Sequence, residues 1–156
     1  MNATEEAEAL KMLFLYQHAY LIPKIMFTAS DLGVFDLLME SKEPLTSMSI
    51  AERLGTSPFG MERLLDACVG LKFLQVERKD NQTLYGNTNL VNLYLGKRSP
   101  KTQYYSLKNH AEFNYTRAQH LTDAVREGEG RTYRLSDSST KIFFEAFYRY
   151  RKIVLF

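Results

Sequence analysis

The sequence contains a single cysteine, Cys68, among its 156 residues. One thiol cannot form an internal disulfide, and it cannot build a zinc cage from cysteines. Because Cys68 lies in an apolar stripe with helical spacing, we expect it to be buried packing rather than a reactive group.

The sequence also lacks an excess of charge of one sign, because 20 Lys and Arg oppose 18 Asp and Glu and give a net charge of +2. Such a chain has no long-range attraction for nucleic acid or for an acidic membrane surface. It does not open with a basic and apolar signal peptide, and no apolar run approaches the roughly 20 residues that span a bilayer. We therefore expect a cytoplasmic protein that binds neither membranes nor nucleic acid.

Motifs for catalysis and metal binding are missing as well. No glutamate is placed to make a zinc-binding helix face with two of the histidines, His18, His110 and His120. The last two are ten residues apart, which on a helix corresponds to about 15 Å, too far to hold one ion. The sequence contains neither a Gly-x-Ser-x-Gly elbow nor a glycine-rich nucleotide loop. It therefore predicts no catalytic residue and no metal site.

The N-terminal part of the sequence has apolar residues at helical spacing. The pattern predicts a helix over residues 4–20, capped by Thr4. Its apolar face would consist of Leu10, Leu13, Phe14, Gln17 and Leu21. Pro23 is expected to break or kink this helix and to start a second one that ends at Gly33, before a short buried segment over 34–39.

The middle of the chain has the layout of a helix-turn-helix. Thr46 or Ser47 can cap a short helix that Gly55 ends, and the run 56–58 starts a longer helix. Its apolar stripe would be Met61, Leu64, Leu65, Cys68 and Leu71. Two strands over 73–78 and 83–86 follow, joined by a polar turn over 79–82. This succession predicts a mainly α, winged-helix-like domain with a small β-hairpin as its wing.

Further helices are expected beyond the wing. A short helix over 89–95 leads into a linker over 96–100. No Gly or Pro interrupts the segment from Lys101 to Arg126, so one long helix is predicted there. An aromatic helix is predicted within the final segment, 136–156.

The charges of the helix-turn-helix do not favour DNA reading. Between residues 47 and 88, five Lys and Arg balance five Asp and Glu, so no local positive field would attract phosphates. The basic cluster is found later, and it consists of Lys97, Arg98, Lys101 and Lys108. We interpret this cluster as a solvated surface.

Six groups of residues, in consistent order between Ala9 and Arg149, match a known family. They are ASDLGVFDLL (29–38), MERLLDACVGLKFLQVE (61–77), LYGNT (84–88), YL followed by SP (94–100), HLTDAVREG (120–128) and AFYR (146–149). In these groups the chain resembles the N-terminal half of the acetylserotonin O-methyltransferases. The resemblance implies a winged-helix domain that dimerises and no longer reads DNA. In the family a Rossmann-like domain follows, which uses S-adenosylmethionine to methylate N-acetylserotonin to melatonin.

The resemblance also implies a domain division and a set of site residues. A dimerisation domain would occupy 1–100, a helical linker region 101–149 and a divergent tail 150–156. Tyr148, in the AFYR run, matches a residue that lines the S-adenosylmethionine site in the family. The segment 20–23 matches a part that reaches into the neighbouring subunit's substrate pocket, although a plain helix kink in an interface fits it equally well. The candidate substrate or interface residues are Leu13, Phe14, Gln17, Tyr20, Leu21 and Pro23.

The family's catalytic half has no counterpart in these residues, so we expect a truncated product that is inactive alone and does not bind S-adenosylmethionine by itself. Three hypotheses follow from this expectation. The first is a self-associating dimerisation domain. The second is a regulatory or dominant-negative partner of a full-length enzyme chain, and the third is a winged-helix DNA-binding protein.

Overall fold

The computed structural model describes residues 2–41, 43–111 and 118–128. The chain divides into two units, Met1–Glu112 and Phe113–Phe156, and the second is described over 118–128 alone. No helix in the described residues is long and apolar enough to cross a membrane.

The described part of the first unit is mainly helical and contains one small sheet. Its helices are α1 (Ala3–His18), α2 (Leu21–Leu32), α3 (Val34–Glu40), α4 (Ser47–Leu54), α5 (Pro58–Gly70), α6 (Asn89–Tyr94) and α7 (Tyr104–Asn109). Its strands are β1 (Leu45–Thr46), β2 (Leu74–Lys79) and β3 (Gln82–Asn87). In the second unit, α8 comprises Leu121–Glu127. The prediction of a mainly α fold with a small β element is confirmed.

The boundaries of the helix-turn-helix pair follow from local hydrogen bonds. The hydroxyl of Thr46 accepts a hydrogen bond from the backbone N–H of Ser49 at 3.2 Å and so caps α4. Gly55 ends this helix in the left-handed conformation, with φ of +63°. The Ser57 hydroxyl then caps α5, and Pro58 stands at the first helical position, where no backbone N–H is needed. The predicted start and stop signals of α4 and α5 are confirmed.

The sheet is antiparallel, with the strand order β1-β3-β2. The hairpin of β2 and β3 is one residue longer at the turn than predicted, because Asp80 and Asn81 alone make the turn, with φ of +50° and +61°. Positive φ at both central residues is typical of tight hairpins. Strand β1, which pairs Leu45 with Tyr85 of β3, was not predicted from the sequence. A two-residue strand has no periodicity of its own, and it forms because β3 offers an open edge.

The core lies between α2, α3, α4, α5, α6 and the sheet. Its buried side chains are Ala29, Val34, Phe35, Leu38, Ile50, Ala51, Met61, Leu65, Cys68, Leu74, Tyr85, Val91 and Leu95. The Phe35 ring packs edge-on against the Phe73 ring, with centroids 6.4 Å apart. Burial raises the pKa of the Cys68 thiol to about 12, which keeps it protonated and unreactive. The prediction that Cys68 is core packing is confirmed.

The prediction of one helix from Lys101 to Arg126 is wrong. The Thr102 hydroxyl accepts a hydrogen bond from the backbone N–H of Tyr104, and the Gln103 N–H bonds to the Tyr94 carbonyl, so α7 starts three residues later. A turn at residues 119–120 then precedes α8. Local side-chain bonds compete with helix formation, and the Asn, Thr, Tyr and His residues of this segment are weak helix formers.

Candidate dimerisation surface

Helix α1 is the least covered element of the first unit, because none of its residues is buried. Its apolar side chains are instead 48 to 66% exposed, and they are Leu10, Met12, Leu13, Phe14, Leu15 and Tyr16. Exposed apolar surface of this extent on a folded domain is typical of a site that binds another protein, a membrane or a ligand. We call this set of six side chains the α1 patch.

The N-terminus of α1 is well capped. The Asn2 side chain accepts hydrogen bonds from the backbone N–H groups of Thr4 at 3.1 Å and of Glu5 at 3.0 Å. The Glu5 carboxylate accepts a bond from the Asn2 N–H at 2.9 Å, which completes a capping box. The predicted cap, Thr4, is therefore wrong: Asn2 takes this role, because its side chain reaches two N–H groups at once.

At the C-terminal end of α1, the His18 side chain hydrogen-bonds to a backbone carbonyl of the last turn. Its Nδ1 lies 2.8 Å from the Phe14 carbonyl oxygen, and a carbonyl can only accept, so Nδ1 must be protonated and donate. The imidazole also stacks on the Phe14 ring, with centroids 6.0 Å apart and planes inclined by 11°. The Phe14 ring thus contacts His18 on one side and stays 55% exposed.

The break after α1 is a kink, as predicted, although it falls before Pro23. Ala19 and Tyr20 keep right-handed helical dihedral angles, and α2 already starts at Leu21. Pro23 lies in the first turn of α2, where its missing N–H costs no helical hydrogen bond. The predicted start of the second helix at Pro23 is therefore wrong by two residues.

The structure places all six candidate interface residues along α1 and the first turn of α2. Each is exposed: Leu13, Phe14, Gln17, Tyr20, Leu21 and Pro23. Leu10, Leu13 and Phe14 lie on one side of α1, as the predicted apolar face requires. A second apolar set was not predicted, although its spacing of three and four residues is also helical: Met12, Leu15 and Tyr16.

The outer face of α5 is a second exposed region, and its charges are already engaged. The Arg63 guanidinium lies 3.8 Å from the Glu62 carboxylate and 5.4 Å from the centre of the Phe59 ring. The Asp66 carboxylate accepts a hydrogen bond from the Tyr85 hydroxyl at 2.8 Å. Burial, followed by the bond to Asp66, raises the pKa of Tyr85 to about 12. This face therefore combines acidic groups with an exposed aromatic ring.

Two members of the predicted basic cluster have partners within the first unit. Arg98 forms an ion pair with Glu40 at 2.6 Å, and the Lys97 ammonium lies 4.6 Å from the centre of the Tyr104 ring. The Lys97 backbone N–H donates to the Asp36 carboxylate at 2.8 Å, and the Tyr104 hydroxyl donates to Asp31 at 3.1 Å. These contacts fasten the segment after α6 to α2 and α3. Tyr148, the predicted cofactor residue, lies outside the described residues.

A capped helix with exposed apolar side chains on a small helical core is typical of domains that bind another protein chain. The comparison with family models agrees, since the model described as the O-methyltransferase dimerisation domain matches residues 14–97. The chain therefore belongs to the O-methyltransferase dimerisation domain family.

Among its relatives is the acetylserotonin O-methyltransferase of Gallus gallus, 48% identical over 149 residues that cover 96% of this chain and 43% of the relative. A solved structure of human N-acetylserotonin methyltransferase in complex with SAM superposes with a TM-score of 0.76 at 40% identity, covering 82% of this chain and 37% of that one. The mitomycin 7-O-methyltransferase structure superposes with a TM-score of 0.68 at 25% identity, covering 82% and 37%. The chain spans less than half the length of each relative. It corresponds to the N-terminal dimerisation region of acetylserotonin O-methyltransferase-like proteins.

Proposed function

We propose that this chain is a self-associating module of an acetylserotonin O-methyltransferase and that it forms homodimers through the α1 patch. The observation that supports this most directly is that α1 has no buried residue while six large apolar side chains project from it. Covering such side chains stabilises an association by roughly 25 cal/mol for each Å² of apolar surface removed from water. A second copy presents the same surface, as in two-fold symmetric dimers, where both subunits use the same patch.

Sedimentation velocity tests the proposed dimer directly. We expect the full chain to sediment as a dimer at micromolar concentration, and the double variant Leu13→Gln with Phe14→Gln to sediment as a monomer. The variant Met48→Gln is the control, because Met48 is also an exposed apolar residue of a helix but lies on α4. A monomeric wild-type chain at tens of micromolar would overturn the proposal.

The methyl donor and the acceptor of the whole protein are part of the same proposal. The human relative was solved in complex with SAM, and the relatives are called acetylserotonin O-methyltransferases. In this chain Tyr148 is the residue that would line the SAM site, and by itself it offers one phenol for stacking or hydrogen bonding. Because these 156 residues span 43% of the chicken relative, we expect them on their own to be inactive and not to retain S-adenosylmethionine. Isothermal titration calorimetry with S-adenosylmethionine should give no binding heat, and tight stoichiometric uptake would contradict the proposal.

The helix-turn-helix serves as scaffold in this proposal, and the fold is a winged helix in which β2 and β3 form the wing. The pairing of Arg63 with Glu62 and the acidic Asp66 on the outer face of α5 support this, because carboxylates there would meet phosphates unfavourably. A fluorescence-anisotropy titration with duplex DNA at low salt should stay flat. Saturable binding that weakens steeply with salt would favour the DNA-binding alternative instead.

The α1 patch would equally accept a longer chain of the same family, which makes a regulatory partner the second candidate function. The 48% identity with the chicken relative supports it, since closely similar pairing surfaces can exchange partners. Co-expression with a full-length chain should give mixed dimers and a changed methylation rate. Separate homodimers with an unchanged rate would remove this candidate.

We propose that the protein acts in the cytoplasm.

A further inference from the structure

The turn that follows α6 contains a serine and a proline between basic side chains. We call this turn the Ser-Pro turn, and its residues are Lys97, Arg98, Ser99, Pro100 and Lys101. Ser99 is half-buried, and the residues on either side of it, Arg98 and Pro100, are exposed. The turn therefore lies at the surface of the first unit. Pairing through the α1 patch gives its cations no role.

The Ser99 hydroxyl stabilises the turn through two hydrogen bonds. It donates to the Leu93 backbone carbonyl at 2.5 Å, and its oxygen accepts a bond from the Lys101 backbone N–H at 3.3 Å. Both bonds are exposed, so water can replace them at a small net cost in free energy. Opening of the turn thus brings the hydroxyl oxygen within reach of an enzyme.

The charges next to Ser99 would stabilise an anion attached to its oxygen. Three cations stand within two residues of it along the chain: Lys97, Arg98 and Lys101. A phosphoryl group on serine carries about −1.5 to −2 charges at pH 7 and offers three strong acceptor oxygens. Lys and Arg side chains form charge-assisted hydrogen bonds with such oxygens.

The proline after Ser99 indicates which class of enzyme would act on it. Pro100 has no backbone N–H, so an enzyme pocket without an acceptor at this point binds proline and rejects residues whose N–H would stay unpaired. Protein kinases of the proline-directed class select serine in this way. Acidic side chains of such a kinase would gain charge-assisted contacts from the flanking Lys and Arg residues.

A second Ser-Pro pair in the chain provides an internal comparison. Ser57 precedes Pro58 at the start of α5 and is exposed. No Lys or Arg lies within three residues of Ser57, and its hydroxyl accepts a hydrogen bond from the Gly60 N–H at 3.2 Å. Proline and exposure alone would favour Ser57, whereas the flanking cations favour Ser99.

We propose that Ser99 is a phosphorylation site for a proline-directed protein kinase that also recognises the basic residues of the Ser-Pro turn. In the reaction Ser99 Oγ attacks the γ-phosphorus of ATP, and an O–P bond forms as the bond from that phosphorus to the bridging oxygen breaks. ADP leaves with the electron pair, and the hydroxyl proton passes to the catalytic base of the kinase. This inference goes beyond the proposed homodimer and does not depend on it.

Phosphorylation changes the contacts of the turn with α6 and α3. The phosphorylated oxygen has no proton to donate, so the bond to the Leu93 carbonyl is lost. Arg98, which now forms an ion pair with Glu40 at 2.6 Å, is drawn to the larger charge of the phosphate. Phosphorylation therefore releases the turn from the end of α6 and from Glu40 of α3.

Phosphorylation of the folded full chain in vitro tests the site. The probe is a purified cyclin-dependent kinase with ATP and Mg²⁺, because this proline-directed kinase prefers basic flanking residues. Intact-mass spectrometry counts the phosphoryl groups, and fragmentation locates them. We expect one phosphoryl group per chain, on Ser99. Ser99→Ala should abolish its incorporation, and Ser57→Ala should leave its rate unchanged.

Matched lysine substitutions test the role of the cations. We expect Lys101→Gln to lower the rate of phosphorylation about tenfold, since one charge-assisted contact with the kinase is lost. Lys79→Gln removes the same charge at an exposed position of β2 and should leave the rate unchanged. Thermal unfolding of both variants establishes that the domain is still folded.

Hydrogen exchange measures the release of the turn. We expect the backbone amides of residues 97–103 to exchange severalfold faster in the phosphorylated chain than in the unmodified one. Ser99→Ala removes the same hydroxyl donor without adding charge, so its effect should be smaller. Amides of α5 should exchange at the same rate in all three proteins.

The outcomes separate this inference from the proposed function. A folded chain that takes up no phosphoryl group, or takes it up on Ser57 and not on Ser99, overturns the site. Equal rates for Lys101→Gln and the wild type overturn the role of the cations, and unchanged exchange overturns the release of the turn. Each of these results can occur in a chain that dimerises. Phosphorylation of Ser99 in a chain that stays monomeric would overturn the homodimer and support the site.

Discussion

The hydrogen bond between Tyr85 and Asp66 joins the sheet to α5 at a single pair of side chains. The Tyr85 ring is buried, whereas Asp66 is exposed, so removal of the hydroxyl leaves a carboxylate that water can still solvate. We therefore expect Tyr85→Phe to lower the free energy of unfolding by about 1 kcal/mol and not more. Urea unfolding measures the loss. Tyr105→Phe, at an exposed position of α7, is the control, and an equal loss there would contradict this role of the hydroxyl.

The buried Cys68 thiol makes the free energy of unfolding depend on pH in the alkaline range. Its pKa is raised from 9.0 to about 12 by burial, so the unfolded thiol ionises at a pH where the folded thiol does not. The stabilising contribution is complete below pH 9 and is lost as the pH rises from 9 toward 12, with a slope of about 1.4 kcal/mol per pH unit for one proton. Tyr85, raised from 10.0 to about 12, adds a second decline that starts near pH 10.

Urea unfolding of the wild type and of Cys68→Ala between pH 7 and pH 10 isolates the thiol. We expect the variant to be less stable at pH 7, because a small cavity replaces the sulfur, and to lose less stability above pH 9. Parallel curves for the two proteins would show that the Cys68 thiol does not govern this decline. No internal disulfide can form, since the chain has no other cysteine, and a reducing agent in both series prevents a disulfide between the Cys68 thiols of two unfolded chains.

At the scale of elements, the N-cap of α5 stabilises the first turn of the longest core helix. The Ser57 hydroxyl accepts a hydrogen bond from the Gly60 N–H at 3.2 Å, and Ser57 is itself exposed. We expect Ser57→Ala to lower the free energy of unfolding by about 1 kcal/mol, whereas Ser57→Asp should retain the cap and the charge should favour the helix N-terminus. Thermal unfolding of the three proteins distinguishes them. Equal losses for both variants would argue against a capping role.

Elements that depend on local chemistry were predictable, and elements that depend on distant contacts were not. Gly33 and Gly55 end their helices in the left-handed conformation, and Thr46 and Ser57 cap theirs, because each signal acts within four residues. Strand β1 forms only because β3 pairs with it. The interruption of the predicted long helix at residues 119–120 has no Gly or Pro to announce it. The weak helix formers of this segment indicated a break, but the apolar periodicity favoured the prediction of one continuous helix.

At the scale of the whole molecule, one of the two apolar sets of the candidate site could be predicted from the sequence. The apolar side formed by Leu10, Leu13 and Phe14 was predicted from the spacing of these residues. The second apolar set, Met12, Leu15 and Tyr16, was not predicted, because one apolar side is all that an ordinary amphipathic helix on its own core requires. Which side chains remain uncovered depends on where the rest of the chain packs, and periodicity does not contain that information. The exposure of α1 in the folded unit reveals it.

Because the described core lies between Ala29 and Leu95 and includes nothing from α1, folding of the domain and its pairing should be separable. Removal of residues 1–18 should give a folded monomer whose melting temperature does not change with protein concentration. The full chain should melt at higher temperature as its concentration rises, since association stabilises the folded state by mass action. Differential scanning calorimetry over a hundredfold range of concentration measures both, with the variant Leu13→Gln and Phe14→Gln expected to behave like the shortened chain. A shortened chain that no longer unfolds cooperatively would mean that α1 belongs to the core, and a full chain with a constant melting temperature would mean that its exposed apolar faces have no partner.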